Sequence, residues 1–446
     1  MKDRNCLRIG CGAGQAYDRF GPAKDLARDG NLDFLIFECL AERTLAHGHA
    51  ERMRDPAKGY NSMLEKRLAA VLRPAHDNKT RIVTNMGSAN PRAAGEAAAE
   101  VARSVGLAGL RIAVVEGDDV TSLVHSDTLL PEIGKTVKEF GSRMIGANAY
   151  LGADAIVPAL DQGADVVITG RVADPSLFLA AIAHGYGWNL EDWQLAAHGT
   201  MIGHLLECTT QVTGGYFADP GVKDVADLVN LGYPIAEVKK NGEAIVTKLN
   251  GTGGLVTPLT VKEQLIYEVH DPRSYLTPDV TVDFTRVKVE AVGSNRVQVS
   301  NAIGRPRPSK LKALVAFDGG LRAEAEISYS GPNAQDRAKL ALHVVRERMK
   351  SQKCNETIRF DLIGMNSIHA TATNRASDTQ DVRLRAAMRT ADRDTAELLL
   401  SEVDGLHMGG PAGGGGYRSS IVPCVLTQPM FLDRDLVPTR VTMVIA

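Results

Sequence analysis

Several features are scarce in this sequence of 446 residues. Aromatic residues make up only 5% of it, which argues against a surface on which nucleic-acid bases stack. The 51 basic residues do not outnumber the 53 acidic ones, and the formal net charge is −2. Binding to a phosphate backbone normally shows as a basic excess. We therefore do not expect nucleic acid as a partner.

Membrane and secretion signals are also missing. No segment approaches the roughly 18 uninterrupted apolar residues of a membrane span, and charges at Lys2, Arg4 and Arg8 interrupt the amino terminus where a signal peptide would be apolar. The six cysteines contain no CxxC pair. Cys6 and Cys11 resemble half of a zinc site, but no second pair follows. We expect a cytoplasmic protein with reduced thiols and no contact with a membrane.

What the sequence does contain is typical of a large globular protein. Hydrophobic residues make up 44% and charged residues 23%. The length exceeds the roughly 250 to 300 residues at which one core usually stops growing, which predicts at least two packed units. The 43 glycines are nearly a tenth of the chain, against a usual share of about 7%.

The first half repeats one pattern, in which a short apolar run is followed by a polar or glycine-rich turn and then by a stretch of helical periodicity. This alternation predicts an α/β fold with a mainly parallel sheet and flanking helices. The predicted strands are 7–10, 33–37, 81–84, 110–115 and 165–169.

The second half has a different pattern of apolar and polar residues, which predicts an α+β domain with antiparallel hairpins. Residues 286–299 and 312–329 alternate apolar and polar side chains around Ser-Asn and Asp-Gly-Gly turns, as hairpins do. Helices are predicted over 333–350 and 380–403, with a strand near 357–363. We place two domains at 1–220 and 221–446.

Polar residues follow each predicted parallel strand, where open α/β sheets bind their ligands. Glu38 is therefore a candidate catalytic carboxylate, and Asn85 and Asn90 are candidate substrate-binding amides. The alternative is that these residues only form turns and helix caps. The first turn, GCGAGQ, lacks the third glycine of the dinucleotide fingerprint, so NAD is not expected. Gly12 and Gly14 favour a looser site for a phosphate or carboxylate.

His204 and Glu207 are three residues apart and would share a helix face. They are our candidate acid/base pair, although the same spacing also suits two metal ligands or a local hydrogen bond.

Two further strand ends carry charged residues. Asp118 and Asp119 are candidate ligands of a divalent metal together with Glu38, and the alternative is a cap and a solvated carboxylate. Arg171 is a candidate clamp for an anionic substrate, whereas Asp174, which precedes a proline, is expected to be a helix N-cap.

The densest glycine stretch is 409–416, followed by a tyrosine, an arginine and two serines. Gly414 and Arg418 are candidate substrate-binding residues, because glycines permit close approach of the backbone to an anion. A hinge is the alternative for this stretch and for the cluster at 250–254. The Lys-Ser/Thr ending of a P-loop is missing, so an ATPase is not indicated.

Several blocks of the sequence resemble a known family. They are RIGCGAGQAYDR, TNMGSANP, VVEGDDV, TGRVADPSLF, GHLLECTTQVTGGYFADPG, LNGTGGLVTPLTVKEQLIYEVHDPRSYLTPDV and GRPRPSKLK, in this order. They resemble the acyclic terpene utilisation AtuA-like family over nearly the whole chain. The resemblance implies bacterial degradation of citronellol-like and geraniol-like terpenoids through acyl-CoA intermediates, without defining the step or the catalytic residues. Many relatives carry a small ferredoxin-like domain at the carboxyl end. This chain stops at Ala446, soon after the predicted strand 440–445, so we expect it to lack that domain, and a separately encoded small subunit is our hypothesis for its source.

Together these features predict a catabolic enzyme that acts by proton transfer, as a lyase, hydratase or isomerase, on a carboxylic acid or its acyl-CoA thioester. The alternative is a non-catalytic ligand-binding or scaffold subunit, and a nicotinamide oxidoreductase is a third option. A homo-oligomer of two-fold symmetry is the general expectation for such an enzyme.

Overall fold

The computed structural model describes residues 6–368 and 379–446. Its strands are β1 Leu7–Ala13, β2 Phe34–Phe37, β3 Arg81–Thr84, β4 Arg111–Glu116, β5 Leu129–Leu130, β6 Lys135–Thr136, β7 Met144–Ala149, β8 Val166–Thr169, β9 Pro234–Val238, β10 Ala244–Lys248, β11 Tyr275–Leu276, β12 Thr281–Asp283, β13 Lys288–Gly293, β14 Arg296–Ser300, β15 Ile303–Arg305, β16 Lys310–Ser330, β17 Ile358–Ile363, β18 Asp381–Thr390, β19 Gly415–Asp433 and β20 Arg440–Ile445.

The helices lie between these strands. They are α1 Phe20–Asp29, α2 Glu42–Arg54, α3 Leu64–Asp77, α4 Pro91–Ser104, α5 Val137–Phe140, α6 Ala153–Asp161, α7 Asp174–Tyr186, α8 Trp193–Leu206, α9 Pro258–Leu265, α10 Ala334–Ser351, α11 Arg393–Asp404 and α12 Leu406–Gly409. In the two described ranges, no helix is long and apolar enough to cross a membrane.

The largest sheet has the strand order β13-β14-β10-β9-β1-β2-β3-β8-β4-β20. Its centre, from β1 to β4 along this order, is parallel, and the remaining strands pair in antiparallel fashion. Every residue of β2 and β8 is buried, as expected for parallel strands that are covered on both faces. The predicted α/β class with an antiparallel second half is therefore confirmed.

The chain divides into two compact units. Unit 1 comprises residues 1–141, 145–316 and 427–446, and unit 2 comprises 142–144 and 317–426. The boundary that we predicted near residue 220 falls inside unit 1, because β9 pairs with β1 and carries β10, β14 and β13 onto the same sheet.

Unit 2 has the βαββαβ order of a ferredoxin-like fold, from β16 through α10, β17, β18 and α11 to β19. The strand order is β17-β18-β16-β19. Alternate residues of β16 and β18 pack with both helices in one core, whose members include Ile327, Leu384, Val345 and Leu399. Unit 2 lies between segments of unit 1 rather than at the carboxyl end, so the expectation of a separate small subunit stays a prediction.

Two predicted elements of unit 2 are wrong. Residues 312–329 do not form a hairpin, because β16 continues through Gly319 and Gly320 and pairs with β18 beyond them. The helix predicted over 380–403 is a strand up to Thr390 and a helix only from Arg393. In contrast, the hairpin predicted over 286–299 is confirmed as β13 and β14.

Candidate functional site

The carboxyl ends of the parallel strands gather polar side chains at one edge of the large sheet. Glu38 follows β2, Asn85 follows β3, Asp118 follows β4 and Arg171 follows β8. All four are buried, so their hydrogen-bond partners decide what each can do.

Arg171 is 1% exposed, and its donors are used inside the protein. Its Nε donates to the carbonyl oxygen of Val172 at 2.8 Å, and its terminal nitrogens donate to the carbonyl oxygen of Leu40 and the carboxylate of Asp174. The guanidinium also lies over the ring of Tyr150, 4.6 Å from its centroid. Arg171 therefore clamps an internal carboxylate rather than presenting an open anion site.

Asp174 is the half-exposed member of this group, with 38% of its side chain accessible. It is the first residue of α7 and not, as predicted, the N-cap. The N-cap is Ala173, which makes no side-chain capping bond. The carboxylate is instead turned toward Arg171. Burial raises the pKa of Asp174 above its usual value, against the lowering effect of the Arg171 charge.

The carboxyl group of Glu38 lies beside the Arg171–Asp174 pair. Its Oε1 accepts hydrogen bonds from the backbone N–H of Leu40 and from Nδ2 of Asn85, both at 2.9 Å. Burial and the charge of Asp174 raise the pKa of Glu38 to about 8, while Arg171 lowers it. At neutral pH this carboxyl group is therefore mostly protonated.

His204 and Glu207 make the contact that their spacing predicts. Nδ1 of His204 lies 3.2 Å from Oε1 of Glu207, at the carboxyl end of α8. Nε2 lies 3.2 Å from the carbonyl oxygen of Leu265, and the ring stacks against Phe284 at 5.6 Å between centroids. Burial lowers the pKa of His204 to about 4 and raises the pKa of Glu207 well above its usual value.

These groups act on one another electrostatically. The charge of Asp174 raises the pKa of both Glu38 and Glu207, and Arg171 opposes it at both. We call Glu38, Asp174 and Glu207 the carboxyl cluster. The Arg171 guanidinium contacts Asp174, and burial raises the pKa of each of the three carboxyl groups above its usual value.

A surface pocket of about 220 Å³ adjoins the pair. It is lined by residues 268–271 and 274–276. The ring of Tyr275, which lines it, lies 5.1 Å from the ring of His204, and the charge of Glu268 raises the pKa of Glu207. The pocket therefore lies close to His204, through the ring of Tyr275.

The two predicted substrate-binding asparagines serve the fold. Oδ1 of Asn85 accepts from the backbone N–H of Cys39 at 2.8 Å, and its Nδ2 donates to Glu38. Asn90 caps α4 through the N–H of Ala93 and donates to the carbonyl oxygen of Lys58 at 2.8 Å. Asn90 thus fits the alternative interpretation, a helix cap, and Asn85 positions Glu38.

The turn predicted at 10–14 is wrong up to Ala13, because β1 continues through Gly12, and packing explains both Gly12 and Gly14. A Cβ on Gly12 would lie 2.4 Å from the ring of Phe37, and one on Gly14 would lie 2.4 Å from the backbone oxygen of Glu207. The N–H of Gly14 donates to Oδ2 of Asp18 at 2.7 Å. A carboxylate of the protein therefore takes the place that we predicted for an anionic ligand.

Replacing Gly14 by alanine is expected to destabilise the protein by about 1–3 kcal/mol, because the new methyl group overlaps backbone rather than a flexible side chain. The matched change Gly21→Ala, in α1 with open space around it, is expected to be neutral or slightly stabilising. Urea denaturation of both variants checks this, and equal midpoints would contradict the packing role of Gly14.

Asp118 and Asp119, which we predicted as metal ligands, make different contacts within the protein. Asp118 accepts hydrogen bonds from Nδ2 of Asn148 at 2.8 Å and from the backbone N–H of Arg171 at 2.7 Å. Asp119 binds Thr121 at the surface. Among the described residues, no group of three or more His, Cys, Asp or Glu side chains is arranged to hold a metal ion. Asp118 instead supports the Arg171 turn.

Gly414 and Arg418 belong to unit 2 and not to this edge of the large sheet. Gly414 directly precedes β19, where a Cβ would lie 3.0 Å from the Ile327 side chain, and Arg418 is exposed on β19. The glycine-rich stretch therefore runs into a strand, and the candidate site consists of unit 1 residues.

Some residues of the site escaped the sequence analysis. Arg67 is fully buried and donates to the carbonyl oxygens of Ala16 and Asp18 at 3.1 and 3.0 Å, which holds the first turn in place. A single arginine in a helix gives no sequence signal for this role. Asp174 had a signal, because Arg171 precedes it by three residues at a strand end.

Comparison with known proteins gives a family match over almost the whole chain. The model described as "Acyclic terpene utilisation family protein AtuA" matches residues 7–443. No curated protein matches the chain. Similar solved structures include the "De novo designed protein Ferredog-Diesel", with 16% identity, a TM-score of 0.16 and coverage of 23% of this chain and 85% of that one. An amidase of the hydantoinase/carbamoylase family from Burkholderia phymatum has 13% identity, a TM-score of 0.16 and coverage of 27% and 31%.

Proposed function

Since the chain belongs to the acyclic terpene utilisation family AtuA, we propose that it is a cytoplasmic catabolic enzyme that transfers protons on a carboxylic acid or its acyl-CoA thioester. The reaction would be that of a lyase, hydratase or isomerase, in the degradation of terpenoid or related acids. The observation that carries this proposal is the carboxyl cluster beside His204 and Arg171.

The cluster suits acid/base chemistry because its members differ in environment. Burial raises the pKa of Glu38 to about 8 and the pKa of Glu207 well above its usual value, whereas Asp174 is half-exposed and the Arg171 guanidinium lowers its pKa against the effect of burial. Groups whose surroundings separate their pKa values can act as acid and base in the same reaction. Addition, elimination and isomerisation next to a carbonyl group all need one group of each kind.

Hydrogen exchange in D₂O tests the proposal without a known product. We expect the protein, incubated with a panel of saturated, unsaturated and hydroxylated acids and acyl-CoAs, to introduce deuterium beside the carbonyl group of one class. Glu207→Gln and Asp174→Asn should each slow this exchange by about 10²–10⁴-fold, the usual contribution of a general acid or base. NMR and mass spectrometry of the recovered compounds measure it.

Glu243→Gln is the matched control, because Glu243 is a surface carboxylate whose partner is Lys239 at 2.9 Å. This variant should exchange at the wild-type rate. Unchanged exchange in folded Glu207→Gln and Asp174→Asn proteins would refute the assignment of the carboxyl cluster as the acid and base.

A second candidate function is a non-catalytic ligand-binding or scaffold subunit that needs a partner, such as a small ferredoxin-like subunit. The internal hydrogen bonds of Asn85, Asn90, Arg171 and Gly14 favour it, because they leave none of these groups open to a substrate. A thermal shift with an acyl-CoA or acid, but no deuterium incorporation, would support this function over the first.

A further inference from the structure

We propose that the His204–Glu207 pair carries its shared proton on Glu207, so that a neutral carboxylic acid faces a neutral imidazole. Glu207 is then the proton donor of the site, and His204 is a positioning residue. The catalytic meaning of this inference rests on the proposed function, whereas the place of the proton rests on the hydrogen-bond geometry.

The geometry fixes the tautomer of His204. Nε2 faces the carbonyl oxygen of Leu265 at 3.2 Å, and a carbonyl oxygen can only accept, so Nε2 bears a proton. A neutral imidazole with its proton on Nε2 has a lone pair on Nδ1, which faces Oε1 of Glu207 at 3.2 Å. The hydrogen between these two atoms must then come from the carboxyl group.

The alternative is an imidazolium facing a carboxylate. Both residues are at least nine-tenths buried, and Oε2 of Glu207 has no hydrogen-bond partner. An ionised carboxylate in such surroundings needs several donors to offset the loss of water. The rings of Tyr275 and Phe284 pack against the imidazole, and burial lowers the pKa of His204 more than the charges of Glu268 and Asp174 raise it.

The charged neighbours act on both members of the pair. Asp174 and Glu268 oppose a negative charge on Glu207 and also raise the pKa of His204, whereas Arg171 supports a negative charge on Glu207. Arg171 is itself paired with Asp174, which weakens that support. Cys208 and Tyr275 are kept uncharged by burial.

If Glu207 is protonated before the substrate binds, it can donate this proton to a leaving oxygen. This narrows the substrate class to compounds with such an oxygen, such as 3-hydroxyacyl acids or thioesters. Asp174 would take the proton from C2 while the C3–O bond breaks, and the proton of Glu207 would go to that oxygen, which leaves as water. A C2–C3 double bond forms, and the two transfers leave the total number of protons unchanged. The reverse reaction hydrates the same double bond.

Infrared spectroscopy of protein labelled with ¹³C-glutamate tests the place of the proton directly. We expect the wild-type protein at pH 7 to show the carbonyl band of a buried protonated carboxyl group that is missing in Glu207→Gln. Glu38→Gln is the matched control, because it removes the other glutamic acid with a raised pKa and should leave the Glu207 band. A spectrum in which Glu207→Gln removes only carboxylate intensity would overturn the proposal.

Thermal stability gives a second readout. The amide of Glu207→Gln can still donate to Nδ1 of His204, so its melting temperature at pH 7 should stay within about 2 °C of wild type. A charged pair would instead leave a buried imidazolium without its counter-ion, and a drop of more than about 5 °C would overturn the proposal.

A protonated Glu207 without deuterium exchange on any substrate would refute only the proposed function, whereas exchange with an ionised Glu207 would refute only the place of the proton.

Discussion

Replacing Arg171 by methionine is expected to lower the free energy of unfolding by about 3–5 kcal/mol. The change removes a buried guanidinium and leaves the carbonyl oxygens of Leu40 and Val172 and the carboxylate of Asp174 without their donor. Glu38 and Glu207 also lose the charge that lowers their pKa values, so both should hold their protons more tightly. Urea denaturation at pH 7 measures the loss of stability.

Arg92→Met is the control for this change. Arg92 forms an ion pair with Glu116 at 3.0 Å, but its side chain is largely exposed, so its removal should change the stability far less than Arg171→Met does. The double variant Arg171→Met with Asp174→Asn should be less destabilised than the sum of its parts, because each single change leaves the other group unpaired. Additive losses would show that the two residues do not depend on each other.

Raising the pH from about 5 to about 8.5 is expected to destabilise the protein. Glu38 has a pKa of about 8 in the folded protein, against 4.5 ordinarily, and Asp118 and Asp279 each have a pKa of about 6, against 3.8. The folded state therefore binds more protons than the unfolded chain in this range, and stability is lost as the pH rises through the folded values. For Glu38 the loss is on the order of 4 kcal/mol, at about 1.4 kcal/mol for each tenfold change in proton affinity.

Glu38→Gln should remove the part of this loss that is due to Glu38, because an amide keeps the acceptor for Leu40 and Asn85 and does not ionise. Its melting temperature should exceed that of wild type at pH 8.5 and approach it at pH 5. His204 acts in the opposite direction, because its pKa of about 4 makes stability fall as the pH drops below its ordinary value of 6.5. A wild-type melting temperature that is flat from pH 5 to 8.5 would contradict the raised pKa of Glu38.

The parallel half of the fold was predictable because its strands are short apolar runs that end in polar turns, and β2, β3 and β8 lie where these runs predict. The contact between His204 and Glu207 was predictable for a similar reason, since residues three apart on a helix share a face. Both signals are local in the sequence. The pairing of β9 with β1, which joins the two predicted domains, has no such local signal.

The predictions that were wrong, such as the hairpin over 312–329 and the start of the helix at 380, have equally specific causes. Gly319 and Gly320 carry the composition of a turn, but the pairing of Leu321–Ser330 with β18 extends β16 into one strand. In β18 the alanines, leucine and methionine are good helix formers, yet the alternation of arginines with buried apolar residues is that of a strand. Leu40, which accepts from Arg171, and Glu207, whose backbone lies against Gly14, are distant along the chain, so these two contacts could not be read from the sequence.

The division of unit 1 along the chain has a consequence for biosynthesis. Strand β4 is complete at Glu116, but its neighbour β20 begins only at Arg440, so more than 300 residues must follow β4 on the ribosome before that edge of the sheet is paired. Almost all of unit 2 lies within that interval, from residue 317 to 426, and is complete first. The nascent chain therefore exposes an apolar strand edge until β20 is made, and an unpaired edge of this kind is open to incorrect strand pairing.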